Sequence, residues 1–198
     1  MTGAARRYHH GDLRRALLER AEAALGDRGA VGLSLRELAR ESGVSHAAPR
    51  RHFSGKQALL DALAEQGFAR LERELSDAID AAGAGFDARL TAVARTYVRF
   101  ATVHTALLEL MFAAKYREDA ERLRAAADRA FAAPRAVIAG GQATGEVIPG
   151  DPDEIAIAAW ATIQGLATLA IGGMLSGASL DGAVSAAVER LVLGLRPR

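Results

Sequence analysis

Residues 34–56 read Ser34-Leu35-Arg36-Glu37-Leu38-Ala39-Arg40-Glu41-Ser42-Gly43-Val44-Ser45-His46-Ala47-Ala48-Pro49-Arg50-Arg51-His52-Phe53-Ser54-Gly55-Lys56. Ser34 and Glu37 have the spacing of a capping box, in which hydroxyl and carboxylate each satisfy an amide at a helix start. Leu35, Leu38 and Ala39 then share one face of a short helix. Gly43 falls where the chain must turn sharply and predicts a positive φ, which costs glycine nothing sterically. Val44 is placed to fill the gap behind the turn, and Ser45 is a good cap for a second helix. Pro49 lies four residues after that cap, where its missing N–H removes at most one helical bond. Ser54 and Gln57 repeat the capping spacing at the start of a third helix, with Lys56 in its first turn. Free amides, the helix dipole and a lysine together predict a seat for phosphate. Two short helices about a glycine turn, followed by a capped third, are the layout of a helix-turn-helix, which presents one short helix to the major groove of DNA.

Ala39, Gly43, Val44, Ser45, His52, Phe53 and Lys56 carry a family pattern: Ala-x-x-x-Gly-Val-Ser, then an aromatic-x-His-Phe, then lysine. In this the segment resembles the DNA-binding domain of TetR/AcrR transcriptional regulators. One position departs, because Arg50 stands where the family usually places a tyrosine that fixes the operator backbone. An arginine reaches phosphate with a charged fork in place of a phenol. The candidate DNA-contacting set is Ser34, Arg36, Ser45, His46, Ala47, Arg50, Arg51, His52 and Lys56. Ser45, His46 and Ala47 are expected at base edges, Ala47 against a thymine methyl. Arg50, Arg51, His52 and Lys56 are expected at phosphates, which position without specifying. Arg6 and Arg7 either enter the minor groove or belong to a disordered tail.

The charge distribution agrees with a DNA-facing end. Twenty-five basic and 24 acidic side chains leave the whole chain at +1. Residues 1–60, however, hold eleven Lys/Arg against six Asp/Glu, and residues 61–198 hold fourteen against eighteen. A basic head on an acidic body suits binding of a polyanion by one end. At 198 residues the chain is long enough to bury a proper core in one or two domains. Alanine is abundant, aromatics are scarce and strand-like alternation is absent, so the fold class predicted is all-α. The chain has no cysteine, which excludes disulfides and thiol catalysis and fits a cytoplasmic setting. No apolar segment follows the N-terminal arginines, so no signal peptide is expected.

Leu13, Leu17, Ala21, Ala24 and Leu25 predict a first amphipathic helix ending near Gly29, with Val31, Leu33 and Phe53 closing a small core. A long helix is expected from 54 to 82, carrying Leu59, Leu60, Leu63, Phe68, Leu71, Leu75 and Ile79. Helices are expected over 86–104 and 105–113, over 117–140 with a kink at Pro134, over 152–176 behind an Asp151 cap with Pro152 first, and from a cap at or near Ser179 to Leu195. The expected division is an N-terminal arm and three-helix DNA-binding domain over 1–54, and a ligand-binding and dimerisation domain over 55–198. Helix 54–82 links them.

Tyr97-Val98-Arg99-Phe100-Ala101, His104, Leu110-Met111-Phe112, and Trp160 with Gln164-Gly165 resemble a TetR C-terminal subtype named for a tryptophan and a His-Gly pair. Gln164 stands in the histidine's place and Thr105 where proline is usual. The resemblance implies a pocket for a small hydrophobic or amphipathic ligand. Tyr97, Phe100, His104, Met111, Phe112, Tyr116, Trp160 and Gln164 are its candidate lining, and Phe131 lies in the same region. Plain core is the competing reading for any one of them. Residues 155–180 carry no charge for 26 positions. Acids flank the run on both sides, so a helix buried between the domain core and a dimer partner is preferred to a membrane span. In the family, the last two helices pair with their copies to form the homodimer.

Enzymatic chemistry finds little support. His9 and His10 are adjacent and cannot face one metal as i, i+4 residues do. Glu118, Asp119 and Glu121, interleaved with Arg117, Arg122 and Arg124, read as a solvated face. No phosphate-binding glycine loop or nucleophile elbow occurs. No cofactor and no metal is expected. The helix-turn-helix pattern predicts a DNA-binding protein, and the family resemblance implies a homodimeric, ligand-released repressor that binds a pseudo-palindromic double-stranded DNA operator. The competing class is a helical small-molecule-binding or scaffold protein without specific DNA readout, suggested by Arg50.

Overall fold

Apolar residues three and four apart build one helix after another. The structure, a computed structural model, describes residues 10–197, and its regular elements there are all helical. They are α1 (His10–Arg28), α2 (Leu35–Glu41), a 3-10 turn (Pro49–Arg51), α3 (Lys56–Ala81), α4 (Phe86–Val103), α5 (Thr105–Lys115), α6 (Glu121–Ala130), α7 (Ala132–Ala143), α8 (Pro152–Ile171) and α9 (Ala178–Leu195). The all-α reading is correct. The arm with Arg6 and Arg7 lies outside the described residues.

The chain forms two compact units. One comprises the N-terminal part up to Gln66 together with Ala106–Leu123; the other comprises Gly67–Thr105 and the chain from Arg124 onward. Helix α3 contributes residues to both.

In the first unit, α1 buries Leu17, Leu18, Ala21 and Leu25 and turns Arg14, Arg15, Glu19 and Arg20 outward. It packs on α2, and α2 packs on the 3-10 turn. Leu33, Leu38, Phe53, Leu59 and Leu63 complete the interior, with Leu107, Leu108 and Met111 of α5 also buried. Val31 is the exception to the expected core, at 93% exposed. It sits in a turn so tight that a Cβ on Gly32 would lie 2.6 Å from the Arg28 carbonyl oxygen, and that turn carries Val31 outside. The charged run after α5 is exposed as expected at Glu118, Asp119, Glu121, Arg122 and Arg124, and departs from a solvated face at half-buried Arg117. Arg117 donates to both carboxylate oxygens of Asp61, at 2.6 and 3.2 Å, and Arg122 pairs with Glu65 at 3.2 Å.

In the second unit, α4 packs against α7, α8 and α9. Phe68, Leu71 and Leu75, on one stripe of α3, are fully buried here. The expected single helix over 117–140 is two. The break falls at Phe131 (φ −98°, ψ 4°), not at Pro134. Proline lacks the N–H for the carbonyl four residues back and clashes with that carbonyl, so the disruption falls a turn earlier and Pro134 enters the first turn of α7. Asp151 caps α8 as expected, its carboxylate accepting from the Asp153 amide at 2.8 Å, with Pro152 first in the helix. Helix α8 stops at Ile171, short of the expected 176. Gly173 takes φ +75°, and the amides of Gly173 and Met174 return to Ala170 and Leu169, a glycine-terminated helix end. Gly177 occupies the cap position of α9, and Ser179 bonds back to Ser176 in the turn before it.

Helix α8 buries Ile155, Ala159, Ile163, Leu166 and Ala167 and leaves Ile157 67% exposed. Among the described residues it is the one helix long and apolar enough to cross a membrane.

Candidate nucleic-acid interface

The interface is built around the end of α2. Ser34 occupies the cap position with extended backbone, but its side chain makes no capping bond. The expected Ser34–Glu37 box does not form, because Glu37 binds the Arg28 guanidinium at 3.2 Å, with Glu41 at 3.4 Å from the same group. A charge-assisted bond to arginine outcompetes the reach back to an amide. At the other end Gly43 has φ +66°. The Gly43 amide donates to Arg40 at 3.1 Å and the Val44 amide to Ala39 at 3.0 Å. These two bonds satisfy carbonyls that the helix end leaves open. Val44 is half-buried behind them.

The segment from Ser45 to His52 is not the second α-helix expected from the Ser45 cap. The Ala48 amide donates to Ser45 at 2.9 Å, Arg51 to Ala48 at 3.2 Å, and His52 to Pro49 at 3.0 Å. These are three-residue steps. Pro49 has no N–H to give the Ser45 carbonyl, which takes the Ala48 amide instead, and the segment winds as tight turns and a 3-10 helix. Pro49 and Phe53 are buried, and the Arg14 guanidinium lies 5.4 Å from the centre of the Phe53 ring.

Helix α3 begins at Lys56. The second expected capping box does not form: the Gln57 side chain takes no bond from the Ser54 amide, and its Nε2 donates to Asp61 Oδ1 at 2.9 Å. Lys56 donates to the Val31 carbonyl at 2.6 Å. It therefore ties the start of α3 to the loop between α1 and α2.

Ser34, Leu35, Arg36, His46, Ala47, Arg50, Ser54, Gly55 and Lys56 line one open groove of about 720 Å³. Six of the nine candidate DNA residues are thus brought together: Ser34, Arg36, His46, Ala47, Arg50 and Lys56. Ser45 and Arg51 are exposed and His52 is half-buried, all outside that groove. Among the described residues, Arg36 and Arg50 form no ion pair, in contrast to Arg28 and Arg117.

The candidate ligand residues divide. Tyr97, Phe100, His104, Trp160 and Gln164 belong to the second unit, and Met111, Phe112 and Tyr116 to the first. Within the second unit, Trp160 stands edge-on to Tyr97 at 4.4 Å and to Phe131 at 4.5 Å between ring centres. Tyr97 is fully buried and its hydroxyl donates to Gln164 Oε1 at 2.5 Å. Burial pushes its phenol well above the ordinary tyrosine range. Phe100 is buried, its ring 5.0 Å from that of His104, and His104 Nδ1 lies 3.5 Å from Arg70 Nη1. In the first unit Met111 is buried, while Tyr116 is 77% exposed, with Lys115 Nζ over its ring and over that of Phe112. Arg70 is not among the residues the sequence singles out, because nothing local marks an arginine 34 positions from its histidine. Among the described residues, no group of three or more His, Asp or Glu side chains is placed to hold a metal ion.

A three-helix head with a glycine turn, a basic groove and a separate helical unit defines the class of helix-turn-helix DNA-binding regulators. Residues 17–63 match the model of bacterial regulatory proteins of the tetR family, and residues 90–195 match the tetracyclin repressor-like C-terminal domain. The chain belongs to the TetR family of transcriptional regulators.

A protein of unknown function from Rhodococcus sp. RHA1 is 48% identical over 97% of this chain and all of its own, with a TM-score of 0.91. The TetR-family regulator PfmR of Thermus thermophilus is 20% identical (91% of this chain, 99% of its own, TM-score 0.69). A ketosteroid transcriptional regulator of Mycobacterium tuberculosis is 17% identical (93% and 95%, TM-score 0.67). At those two identities what is shared is the fold. Among proteins of curated function, none matches the sequence.

Proposed function

We propose that this protein is a cytoplasmic repressor that binds a pseudo-palindromic operator as a homodimer and is released by a small hydrophobic or amphipathic ligand. The observation that carries the DNA reading is the shared groove. His46, Ala47 and Arg50 open onto the same space as Arg36 and Lys56, and the two arginines have no competing acid among the described residues. Arg51 and His52 are assigned to phosphates flanking the groove. A dimer of such heads would read two half-sites about one DNA turn apart, roughly 34–36 Å.

Two features support the rest. Ile157, Leu169, Ile171 and Leu193 leave apolar surface exposed on α8 and α9, which a second copy would cover. Trp160, Tyr97, Phe131 and Gln164 pack as an aromatic cluster with one polar handle, the kind of side chains that would surround a largely apolar ligand. Such a ligand would weaken DNA binding to the extent that it prefers the DNA-free state.

The test is selection of bound sequences from a random duplex pool by the full-length protein, followed by affinity at several salt concentrations. A two-fold-related motif, two protomers per site and a steep salt slope are expected. A pool that enriches no motif would remove the regulator reading.

A further inference from the structure

Tyrosine-to-arginine at position 50 invites a like-for-like exchange of one phosphate contact for another. The winding of the segment points elsewhere. The 3-10 helix is Pro49–Arg51, and Ala47 lies in the turn that leads into it. Arg50 is three residues from Ala47, both line the groove with His46, and Arg51 does not. Ala47 is a position expected at a base edge, so Arg50, which opens onto the same groove, also faces the groove floor of DNA. Arg50 is exposed, and among the described residues no carboxylate holds its guanidinium back. Backbone attachment is provided for without it: Arg36 enters the groove from α2, and the amino end of the 26-residue α3 opens there beside Ser54 and Gly55.

We infer that Arg50 is a specificity-determining residue, donating a bidentate pair to a guanine in each half-site next to the step read by Ala47. The inference rests on the DNA-reading function proposed above. A planar fork matches the O6 and N7 acceptors of guanine, and arginine–guanine is the commonest specific contact in the major groove.

The experiment uses the full chain. The half-site motif is determined by selection, then each base is varied singly and affinities are measured for the parent protein, Arg50→Ala, Arg50→Lys and Arg51→Ala. The parent should prefer guanine at one half-site position by roughly 5- to 150-fold. Arg50→Ala should lose that preference and leave the other positions as they were. Arg50→Lys should retain part of it. Arg51→Ala should weaken all sequences alike and lower the salt slope by about one. Arg50 is at the surface, so its variants should keep the helical content and mass of the parent, which circular dichroism and sedimentation verify. If Arg50→Ala instead weakens every sequence equally with a shallower salt slope, the residue holds phosphate and the inference is overturned. Unchanged affinities overturn it too. A parent protein that selects no motif sinks the DNA reading itself, a result distinct from either of these.

Discussion

Two adjacent glycines in α7 give opposite forecasts for the same substitution. A Cβ on Gly140 meets nothing within 4 Å. Gly140→Ala should therefore gain up to about 1 kcal/mol, the ordinary difference in helix propensity. A Cβ on Gly141 would lie 2.6 Å from Val147 Cγ2 and 2.8 Å from Phe86 Cδ2. Carbon atoms in contact prefer about 3.5–4.0 Å, so close to 1 Å must open. Neither neighbour can step aside into solvent, since Val147 and Phe86 are 2% and 3% exposed. Overpacking of this kind costs about 1–3 kcal/mol, and the same propensity gain offsets part of it. Gly141→Ala should then be neutral to about 2 kcal/mol destabilised, and the two alanine variants should differ by about 1–3 kcal/mol. For a chain of this length that separates their melting temperatures by about 2–12 °C. The assay is urea and thermal denaturation at one fixed protein concentration, because association alters apparent stability. Adding Val147→Ala should recover about 1 kcal/mol of the Gly141→Ala loss beyond simple additivity. If both alanines stabilise equally, the close approach of α7 to Phe86 and Val147 is wrong.

Gly43→Ala meets no steric contact but must hold φ +66°, so it should cost about 1–2 kcal/mol by denaturation, with Gly43→Asn milder. Burial alone would raise the Asp61 carboxyl, but hydrogen bonds from Arg117 and Gln57 and the charge of Arg117 hold it below its ordinary value. The stability it adds is therefore present above the unfolded-state pKa and lost as pH falls through the lower folded value. Asp61→Asn should lose about 1–2 kcal/mol at neutral pH and show a smaller fall in melting temperature between neutral pH and acid than the parent does. Tyr97→Phe removes the donor to the side-chain oxygen Oε1 of Gln164 and should cost about 1–2 kcal/mol, with a change in the emission of Trp160, the chain's sole tryptophan. Ile157→Asp puts a charge on the exposed face of α8 and should shift sedimentation toward the monomer while leaving helical content unchanged.

The fold is legible because its signals are local. Periodic leucines place α1 and α3, Asp151-Pro152 opens α8, and Gly43 closes α2. Each depends on residues within about a turn of one another. The candidate site is legible as a set of residues but not as geometry. Glu37 reads as a cap because Ser34 is three residues away, yet Arg28, nine away, takes it instead. Arg117 looks solvated because its partner Asp61 is 56 positions distant. Val31 looks like core by its chemistry, whereas the tightness of the Arg28–Gly32 turn decides its place. Helix ends fail for a related reason: a cap is a competition, and the competitor is often another element.

Pro49 sits where local signal and tertiary anchoring meet. A reading segment of eight residues, Ser45 to His52, is too short to persist as an isolated helix, and a proline inside it removes a bond as well. The chain holds the segment in another way. Pro49 and Phe53 are anchored in the interior, Gly43 closes the turn before them, and Arg14 covers the Phe53 ring. Proline also narrows the unfolded ensemble wherever its φ is compatible with the native one. A surface loop that must order on DNA loses part of its binding free energy to that ordering, and a segment pinned at both ends has less to lose. Pro49→Ala separates the two effects of the residue. It restores the missing N–H and permits the regular α-helix that the Ser45 cap would start. It also turns Arg50 away from Ala47, since α-helical residues three apart are offset by about 60°. If the reading of the groove is right, this variant should remain folded yet lose sequence preference more than it loses affinity for DNA of any sequence. Unchanged preference would mean that the 3-10 winding does not determine which side chains meet the bases.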